Sequence, residues 1–264
     1  MDESRPLAGK TVAVTRAREQ AGSLSERLAA LGARVLECPL IRVERTDDLA
    51  AVDSAIRELA RYDWVVFTSG NAARFFLERV AELGAEPPAG QGCPAIAVVG
   101  KATAAALERH GCRAALTAPE AVAESLAAAL VEAGVEGRRV LFPKARAARE
   151  VLPERLRKAG ASVDEVVLYD TVPDPDGAAG LLAALAAGEL NVITFASPST
   201  VEQFHALAGL PSRSGAYRIV SIGRVTSAKA EQLGYRVDAT AGQAGVDGLV
   251  EAVVRAALLP AGRG

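Results

Sequence analysis

The sequence predicts an α/β protein built from two doubly wound domains, each with a parallel sheet. Three observations support this fold class. Short apolar segments rich in β-branched residues alternate with longer amphipathic segments along most of the 264 residues. Several amphipathic segments stop at a Leu-Gly or His-Gly pair, where glycine ends a helix in the left-handed conformation. The chain also matches itself at a domain-sized offset, which indicates an internal duplication.

The internal match holds over most of the chain. The tripeptide Glu26-Arg27-Leu28 recurs 128 positions later. The same offset pairs Val12 with Val140, Arg16 with Lys144, Phe67 with Phe195 and Ser69 with Ser197. Beyond the Pro/Gly-rich loop 84–94 the offset falls to 123, which pairs Gly100 with Gly223 and Thr103 with Thr226. The longer loop of the first copy explains this change of offset.

Five strands are predicted in each copy. They cover 11–15, 34–43, 63–68, 95–99 and 114–117 in the first copy, and 139–142, 162–171, 191–195, 218–221 and 237–239 in the second. Alternation of strands with helices favours open parallel sheets. The strand 166–171, which is followed by the polar stretch 172–177, is interpreted as a connector. Its repeat counterpart 38–43 is followed by the charged stretch 44–48, and two such connectors could form a hinge. The tail 260–264 is expected to be disordered.

Composition excludes several classes of function. The formal net charge is -2 and no block of like charge occurs, so general attraction to nucleic acid or to an anionic membrane is not expected. Apolar runs are too short for a membrane span, and the first ten residues lack the apolar core of a signal peptide, so a cytoplasmic location is expected. Three separated cysteines and two isolated histidines predict neither a disulfide framework nor a metal site.

Turns that follow the predicted strands carry the candidate binding residues. Ligands of open parallel sheets bind at the carboxyl ends of strands, where helices begin with unpaired N–H groups. Three kinds of turn occur twice, and they supply hydroxyls, glycines or cations suited to carboxylate or phosphate: Arg16 and Arg18 with Lys144 and Arg146; Ser69 and Gly70 with Ser197 and Ser199; and Gly100, Lys101 and Thr103 with Gly223, Arg224 and Thr226.

A structural interpretation stays open for each turn taken alone. Serine and threonine are ordinary N-cap residues, and the cations could simply be solvated. Gly100-Lys101 lacks the earlier glycine of a P-loop, and no Gly-x-Gly-x-x-Gly sequence opens a helix, so nucleotide binding has little support. The two histidines do not assemble a hydrolytic triad with any serine or cysteine.

Tyr169 is the candidate proton donor. Strict alternation in its strand would place Val167, Tyr169 and Thr171 on one face. A phenol with a reference pKa of about 10 is protonated at neutral pH, which suits an acid better than a base. Simple packing is the alternative role for this side chain.

The ordered set of turns resembles the uroporphyrinogen-III synthase family over nearly the whole chain. The segments that carry the resemblance are VAVTR at 12–16, PLI at 39–41, VFTSGNA at 66–72, VVGKAT at 98–103, LYDT at 168–171, FASPS at 195–199 and IGRVT at 222–226. No single segment is diagnostic, and their order and spacing together make the match specific.

This resemblance implies two α/β domains, 1–39 with 172–264 and 44–167, joined by hinge strands at 40–43 and 168–171. It implies cyclisation of the linear tetrapyrrole hydroxymethylbilane, with ring D inversion and loss of water, to uroporphyrinogen III in haem biosynthesis. No metal or organic cofactor is implied. Tyr169 becomes the candidate acid for departure of the ring A hydroxyl. The turns become two facing walls of a cleft: Ser69, Gly100, Lys101 and Thr103 on one, and Arg16, Ser197, Gly223, Arg224 and Thr226 on the other.

The expected partner is therefore a small multiply anionic substrate, without nucleic acid or membrane. The protein is expected to be a monomer that makes a transient contact with the preceding enzyme of its pathway. Two alternatives stay open at this point. One is a non-catalytic two-lobe binding protein for an anionic small molecule, and the other is a two-lobed glycosyltransferase. The isomer formed from hydroxymethylbilane would separate all three.

Overall fold

A computed structural model describes residues 5–88, 92–208, 217–243 and 245–259. The predicted disordered tail 260–264 and residues 89–91 of the predicted loop 84–94 lie outside these ranges. In chain order the helices and strands are β1 (Thr11–Val14), α1 (Arg18–Ala30), β2 (Arg34–Glu37), β3 (Ile41–Arg45), α2 (Ala50–Arg57), a 3-10 turn (Leu59–Arg61), β4 (Trp64–Phe67), α3 (Gly70–Glu82), β5 (Ala95–Val98), α4 (Lys101–Glu108), β6 (Leu116–Thr117), α5 (Ala123–Glu132), β7 (Arg139–Ala145), α6 (Val151–Lys158), β8 (Ser162–Pro173), α7 (Pro175–Ala186), β9 (Val192–Phe195), α8 (Pro198–Ala208), β10 (Arg218–Ser221), α9 (Arg224–Gln232), β11 (Ala239–Thr240) and α10 (Val246–Ala257).

The strands form two sheets, which belong to two compact units. Unit 1 comprises Met1–Val43 and Val172–Gly264, and unit 2 comprises Glu44–Thr171. The first sheet has the order β11-β10-β9-β1-β2, and the second has the order β3-β8-β7-β4-β5-β6. All four neighbouring pairs of the first sheet are parallel, as are the pairs that join β8, β7, β4, β5 and β6. The predicted α/β class with parallel sheets is confirmed.

Both sheets use one strand order. The run β11-β10-β9-β1-β2 corresponds to β6-β5-β4-β7-β8 when strands are matched by the offsets of the internal repeat. Each sheet therefore takes strands from both copies, because the chain leaves unit 1 after β2 and returns to it after β8. The strands β3 and β8 carry these two crossings. The hinge role of 40–43 and 168–171 stays a prediction.

Helices cover both faces of the sheet in unit 1. Val12 and Val14 of β1 pack with Leu24 of α1 and Val253 of α10 on one face. Ala13, between the two valines, packs on the other face among residues of α7 and α8. Successive strand residues point to opposite faces, so a strand covered on both faces must be apolar at every position. This explains the unbroken apolar run 12–14 of β1.

Unit 2 is built in the same way. On one face Val66 and Val140 pack against Leu126 of α5 and Leu156 of α6. On the other face the ring of Phe67 lies 5.6 Å from that of Phe76 on α3. Each unit thus has its own sheet and its own apolar core, and this leaves the strand ends free to carry polar turns.

The predicted strand 34–43 is wrong as a single element. It is divided into β2 and β3 at Cys38, Pro39 and Leu40. Proline has no N–H to donate to a ladder. Its neighbours still donate to the segment that follows β1, with Cys38 N bonding Val14 O at 2.9 Å and Leu40 N bonding Thr15 O at 3.2 Å.

The polar, Pro-rich stretch 172–177 is part of regular structure, because β8 continues to Pro173 and α7 begins at Pro175. The Asp174 side chain caps α7 by accepting from the N–H groups of Asp176 and Gly177, both at 3.2 Å. Pro175 fits the first turn of a helix, where its missing N–H has no acceptor to satisfy. An aspartate followed by proline is thus a helix start here.

Several strand limits differ from the prediction. The strands predicted at 114–117 and 237–239 are the short β6 and β11 at the outer ends of the two sheets, and β7 extends three residues beyond the predicted 139–142. The charged stretch 44–48 begins inside β3 and is followed by helix α2. End strands lack a second neighbour, so their pairing stops early.

Candidate functional site

The candidate binding residues follow three adjacent strands in each sheet. In unit 1 the strands are β10, β9 and β1, and in unit 2 they are β5, β4 and β7. Because these strands are parallel, the turns at their carboxyl ends lie on one edge of each sheet. Within unit 1 this edge carries Arg16, Arg18, Ser197, Ser199, Gly223, Arg224 and Thr226, and within unit 2 it carries Ser69, Gly70, Gly100, Lys101, Thr103 and Lys144.

Ser69 makes two hydrogen bonds at the start of α3. Its Oγ accepts a hydrogen bond from Ala72 N at 3.0 Å, which caps the helix. The same Oγ lies 2.8 Å from the phenolic oxygen of Tyr169 on β8. Since Oγ already accepts from the helix N–H, its own proton is available for the tyrosine oxygen. The capping serine therefore fixes the position of the candidate acid.

Tyr169 is buried, with 6% of its surface exposed, and its ring lies 5.5 Å from that of Phe75. Burial raises the pKa of the Tyr169 phenol, and the Ser69 hydrogen bond offsets part of that rise. The phenol therefore stays protonated well above neutral pH. This is the state that a proton donor requires.

Strict alternation does not describe the strand around Tyr169. Lys144 is paired with Val167, but Ala145 is paired with Tyr169, so Leu168 is an extra residue in β8. Leu168 and Tyr169 are consequently both buried although they are consecutive. A bulge of this kind re-aims the side chain that follows it, and here that side chain is Tyr169.

The turns at Gly100 and Gly223 have the same conformation. Both glycines are N-caps in extended backbone, with φ of 170° and 173°. Thr103 and Thr226, three residues further on, are 4% and 3% exposed. Lys101 and Arg224, which directly follow the two glycines, are exposed at the first positions of α4 and α9. Each unit thus presents a helix N-terminus with a neighbouring cation, an arrangement that suits an anion.

The turn after β9 is a cluster of hydroxyls. Ser197 and Thr200 cap each other, because each accepts from the other's backbone N–H at 3.3 Å. The Oγ atoms of Ser197 and Ser199 lie 2.8 Å apart. Ser197 is the counterpart of Ser69, but it bonds to a neighbouring serine where Ser69 bonds to a tyrosine. The candidate acid is therefore placed in unit 2 only.

The cations at the ends of β1 and β7 have different surroundings. In unit 2 the buried Lys144 contacts two carboxylates, and Arg146 contacts Asp170 at 2.9 Å. In unit 1 the exposed Arg18 lies 3.5 Å from Asp174. Arg16 donates only to Gln20 Oε1, at 3.3 Å, among the residues that the structure describes. Lys144 is thus already neutralised within its unit, whereas Arg16 is not.

The sequence did not indicate a chain of hydroxyls behind the Gly223 turn. Ser227 of α9 lies 2.6 Å from Ser221 and 2.7 Å from Thr240, measured between hydroxyl oxygens. The chain connects β10, α9 and β11 at the site edge of unit 1. Its members belong to three separate elements, so no local spacing in the sequence reveals them.

Within the described ranges, no group of three His, Cys, Asp or Glu side chains could hold a metal ion. The helices described in these ranges are too short or too polar to cross a membrane.

Comparison with known proteins identifies relatives over nearly the whole chain. A family model described as "Uroporphyrinogen-III synthase HemD" matches residues 22–251. A protein of Synechococcus elongatus named uroporphyrinogen-III synthase is 35% identical over 260 residues, covering 94% of this chain and 96% of the relative. One from Chlorobaculum parvum with the same name is 27% identical and covers 87% of this chain and 92% of the relative.

Solved structures agree with the fold. A mutant uroporphyrinogen III synthase of Thermus thermophilus matches with a TM-score of 0.66 at 20% identity, over 94% of this chain and 98% of that one. A uroporphyrinogen-III synthetase of Helicobacter pylori matches with a TM-score of 0.59 at 15% identity, over 93% and 98% of the two chains. At these identities the structural matches bear on the fold alone.

Proposed function

Because the chain belongs to the uroporphyrinogen-III synthase family, we propose that it cyclises hydroxymethylbilane to uroporphyrinogen III with inversion of ring D and loss of water. It is then a cofactor-independent cyclising lyase of haem biosynthesis. The repeated pattern of turns at the strand ends of both sheets supports this function most directly. A linear tetrapyrrole carries many acetate and propionate carboxylates, and these turns offer many N–H donors and cations.

Binding would be shared among many groups. The substrate-binding residues we propose are Arg16, Arg18, Ser69, Gly70, Gly100, Lys101, Thr103, Ser197, Ser199, Gly223, Arg224 and Thr226. Lys144, a candidate from the sequence, is left out of this set because its Nζ already contacts Glu150 and Glu165. A flexible chain that closes spontaneously to the uninverted isomer needs above all to be held in one geometry, so positioning is the main source of catalysis. A thousandfold preference for one closure needs roughly 4 kcal/mol of differential stabilisation of the transition state, which several oriented hydrogen bonds supply.

Tyr169 is the proposed catalytic residue. Its phenol gives a proton to the ring A hydroxyl, which leaves as water with the electron pair of the broken C–O bond. The azafulvenium cation that remains is attacked by the substituted α-carbon of ring D, and the spiro intermediate fragments and recloses with ring D inverted. Ser69 donates a hydrogen bond to the phenolate oxygen that the transfer creates. The phenolate then recovers a proton from the closing ring.

Replacement of Tyr169 by phenylalanine tests the acid. Loss of a general acid should lower kcat about a hundredfold while the fold is kept, because phenylalanine preserves the contact with Phe75. Freshly prepared hydroxymethylbilane is supplied, and the type I and type III products are resolved chromatographically. Tyr62→Phe is the matched control, since Tyr62 precedes β4 and bonds to Asp164 at 2.9 Å. Wild-type turnover by Tyr169→Phe would remove the acid assignment.

Ser69→Ala belongs to the same experiment. A hydrogen bond to a charged group is worth about 1.5–3 kcal/mol, so kcat should fall about ten- to a hundredfold. If Ser69 acts through the phenol, the same change made in Tyr169→Phe should have almost no further effect on kcat. Equal losses in both backgrounds would show that Ser69 contributes separately.

A protein that binds hydroxymethylbilane without forming any type III isomer would instead be the two-lobe binding protein.

Location and assembly are further parts of the proposal. Cys38, Cys93 and Cys112 are all free thiols, which suits the reducing cytoplasm. One chain supplies both sets of turns, so a monomer suffices for the reaction. Spontaneous closure of the substrate to the wrong isomer favours direct transfer, so we include a transient contact with the preceding enzyme of the pathway.

A further inference from the structure

Arg16 and Lys144 occupy equivalent positions in the two units. Arg16 lies two residues after Val14, which is paired with Glu37 of β2. Lys144 lies two residues after Phe142, which is paired with Glu165 of β8. The two cations are also matched by the 128-residue offset of the internal repeat. Their surroundings are therefore comparable side chain by side chain.

Lys144 has its counter-ions within unit 2. Its Nζ contacts Glu150 Oε1 at 2.8 Å and also Glu165 Oε2. Burial opposes the charge of Lys144, but the two carboxylates outweigh it, and the pKa of Lys144 is raised. The ammonium group is thus held as the centre of an internal ion-pair network.

Arg16 lacks both counter-ions. The repeat counterpart of Glu150 is Gly22, which has no side chain to offer. The counterpart of Glu165 is Glu37, which is exposed at the end of β2. Among the residues that the structure describes, no carboxylate lies within ion-pair distance of Arg16, whose Nη2 donates to the neutral Gln20.

The guanidinium of Arg16 is nevertheless partly withdrawn from water. Its Nε is buried and has no hydrogen-bond partner among the described residues. Burial lowers the pKa of Arg16. A desolvated cation with an unsatisfied donor costs free energy of folding, and arginine presents its donors in a fork that fits a carboxylate. At a sheet edge rich in polar turns, these features point to a ligand.

We propose that Arg16 binds a carboxylate of the tetrapyrrole substrate and that Lys144 serves as an internal ion pair of unit 2. The strand-end cations then divide their roles, with anion binding assigned to unit 1. This inference rests on the proposed function, because the carboxylate belongs to its substrate. The same division of roles predicts changes in thermal stability that do not depend on catalysis.

Methionine variants test both statements. Methionine keeps the apolar stem of either cation and removes the charge. Arg16→Met should raise KM for hydroxymethylbilane about ten- to a hundredfold, the range expected for a charged hydrogen bond, with a smaller effect on kcat. Arg16→Lys should recover part of the loss. Arg34→Met is the matched control, because Arg34 is an exposed arginine at the start of β2 whose partner is Glu189, and KM should not change.

Thermal unfolding without substrate gives the second readout. Arg16→Met should raise Tm by about 2–4 °C because it removes an uncompensated cation. Lys144→Met should lower Tm, because it leaves Glu150 and Glu165 unpaired.

The outcomes are distinguishable. An unchanged KM or a lowered Tm in Arg16→Met, with type III product still formed by the unmodified enzyme, would overturn this inference and leave the proposed function intact. Failure of the unmodified enzyme to form type III product would contradict the proposed function and, with it, the carboxylate assignment.

Discussion

The three cysteines differ sharply in exposure. Cys38 and Cys112 are 4% and 0% exposed, and burial raises the pKa of both thiols, whereas Cys93 is exposed. Because the thiolate is the reactive form, we expect only Cys93 to react with dithiobis-nitrobenzoate at neutral pH in the native protein. Unfolding in guanidinium should release all three thiols. Cys93→Ser should abolish the fast reaction, and rapid modification of a second thiol would contradict the burial of Cys38 or Cys112.

Single residues also show what the sequence could and could not predict. Ser69 was expected at a helix start, and it is the N-cap of α3. Its bond to Tyr169 was not predicted, because it depends on which strands are neighbours and on the bulge at Leu168. An extra residue in a strand leaves no mark on local composition. The different partners of Arg16 and Lys144 could not be predicted either, since the two carboxylates that contact Lys144 are six or more positions away from it in sequence.

Helix α7 provides a test of how closely two segments of unit 1 pack. A Cβ added at Gly177 would lie 2.0 Å from Pro39 O and 2.6 Å from Pro39 N, both backbone atoms. Gly177→Ala should therefore destabilise the protein by about 1–3 kcal/mol or more through overpacking. Gly180→Ala, one turn further along the helix, is the control, because the nearest atom outside the helix to its added Cβ would be Cys38 Sγ at 3.8 Å.

The control should shift stability in the opposite direction. Alanine is favoured over glycine inside a helix by about 1 kcal/mol, so Gly180→Ala should raise the midpoint of urea unfolding while Gly177→Ala lowers it. Similar midpoints for the two variants would show that Pro39 does not press against α7. Local patterns failed at these two places for separate reasons. Pro39 interrupts a strand that its apolar neighbours predict, and Asp174 and Pro175 start a helix within a polar, Pro-rich stretch.

At the level of the whole chain, alternation of strands and helices was enough to predict parallel sheets but not their strand order. Neighbours in the sheets are far apart in sequence. The N–H of Thr11, for example, donates a hydrogen bond to Asn191 Oδ1 at 2.8 Å, across 180 positions. Periodicity reports which face of an element is apolar and says nothing about which elements meet. The repeat suggested two similar units, and only the resemblance to a known family suggested that the chain leaves one and returns to it. The strand order of the sheets was thus the part of the fold that the sequence pattern predicted least.

Unit 2 has the features of an autonomous domain. A fragment of residues 41–173 contains the whole of β3 and β8, the complete six-stranded sheet and its own core. Its two ends belong to neighbouring strands of that sheet, so the excision cuts through no strand. Domains of this size commonly fold alone. We expect the fragment to unfold cooperatively and to keep near-UV circular dichroism from Tyr169 and its neighbours.

The fragment should nevertheless form no type III product. It retains Tyr169, Ser69 and the Gly100 turn, but it lacks Arg16 and the turns at Ser197 and Gly223. If catalysis consists mainly of holding a flexible substrate, an acid without half of the binding groups cannot favour one closure. The full chain assayed in parallel is the reference, and chromatography separates the two isomers. Type III product above the spontaneous background would show that unit 2 alone holds the substrate, and binding by the turns of unit 1 would then have to be abandoned.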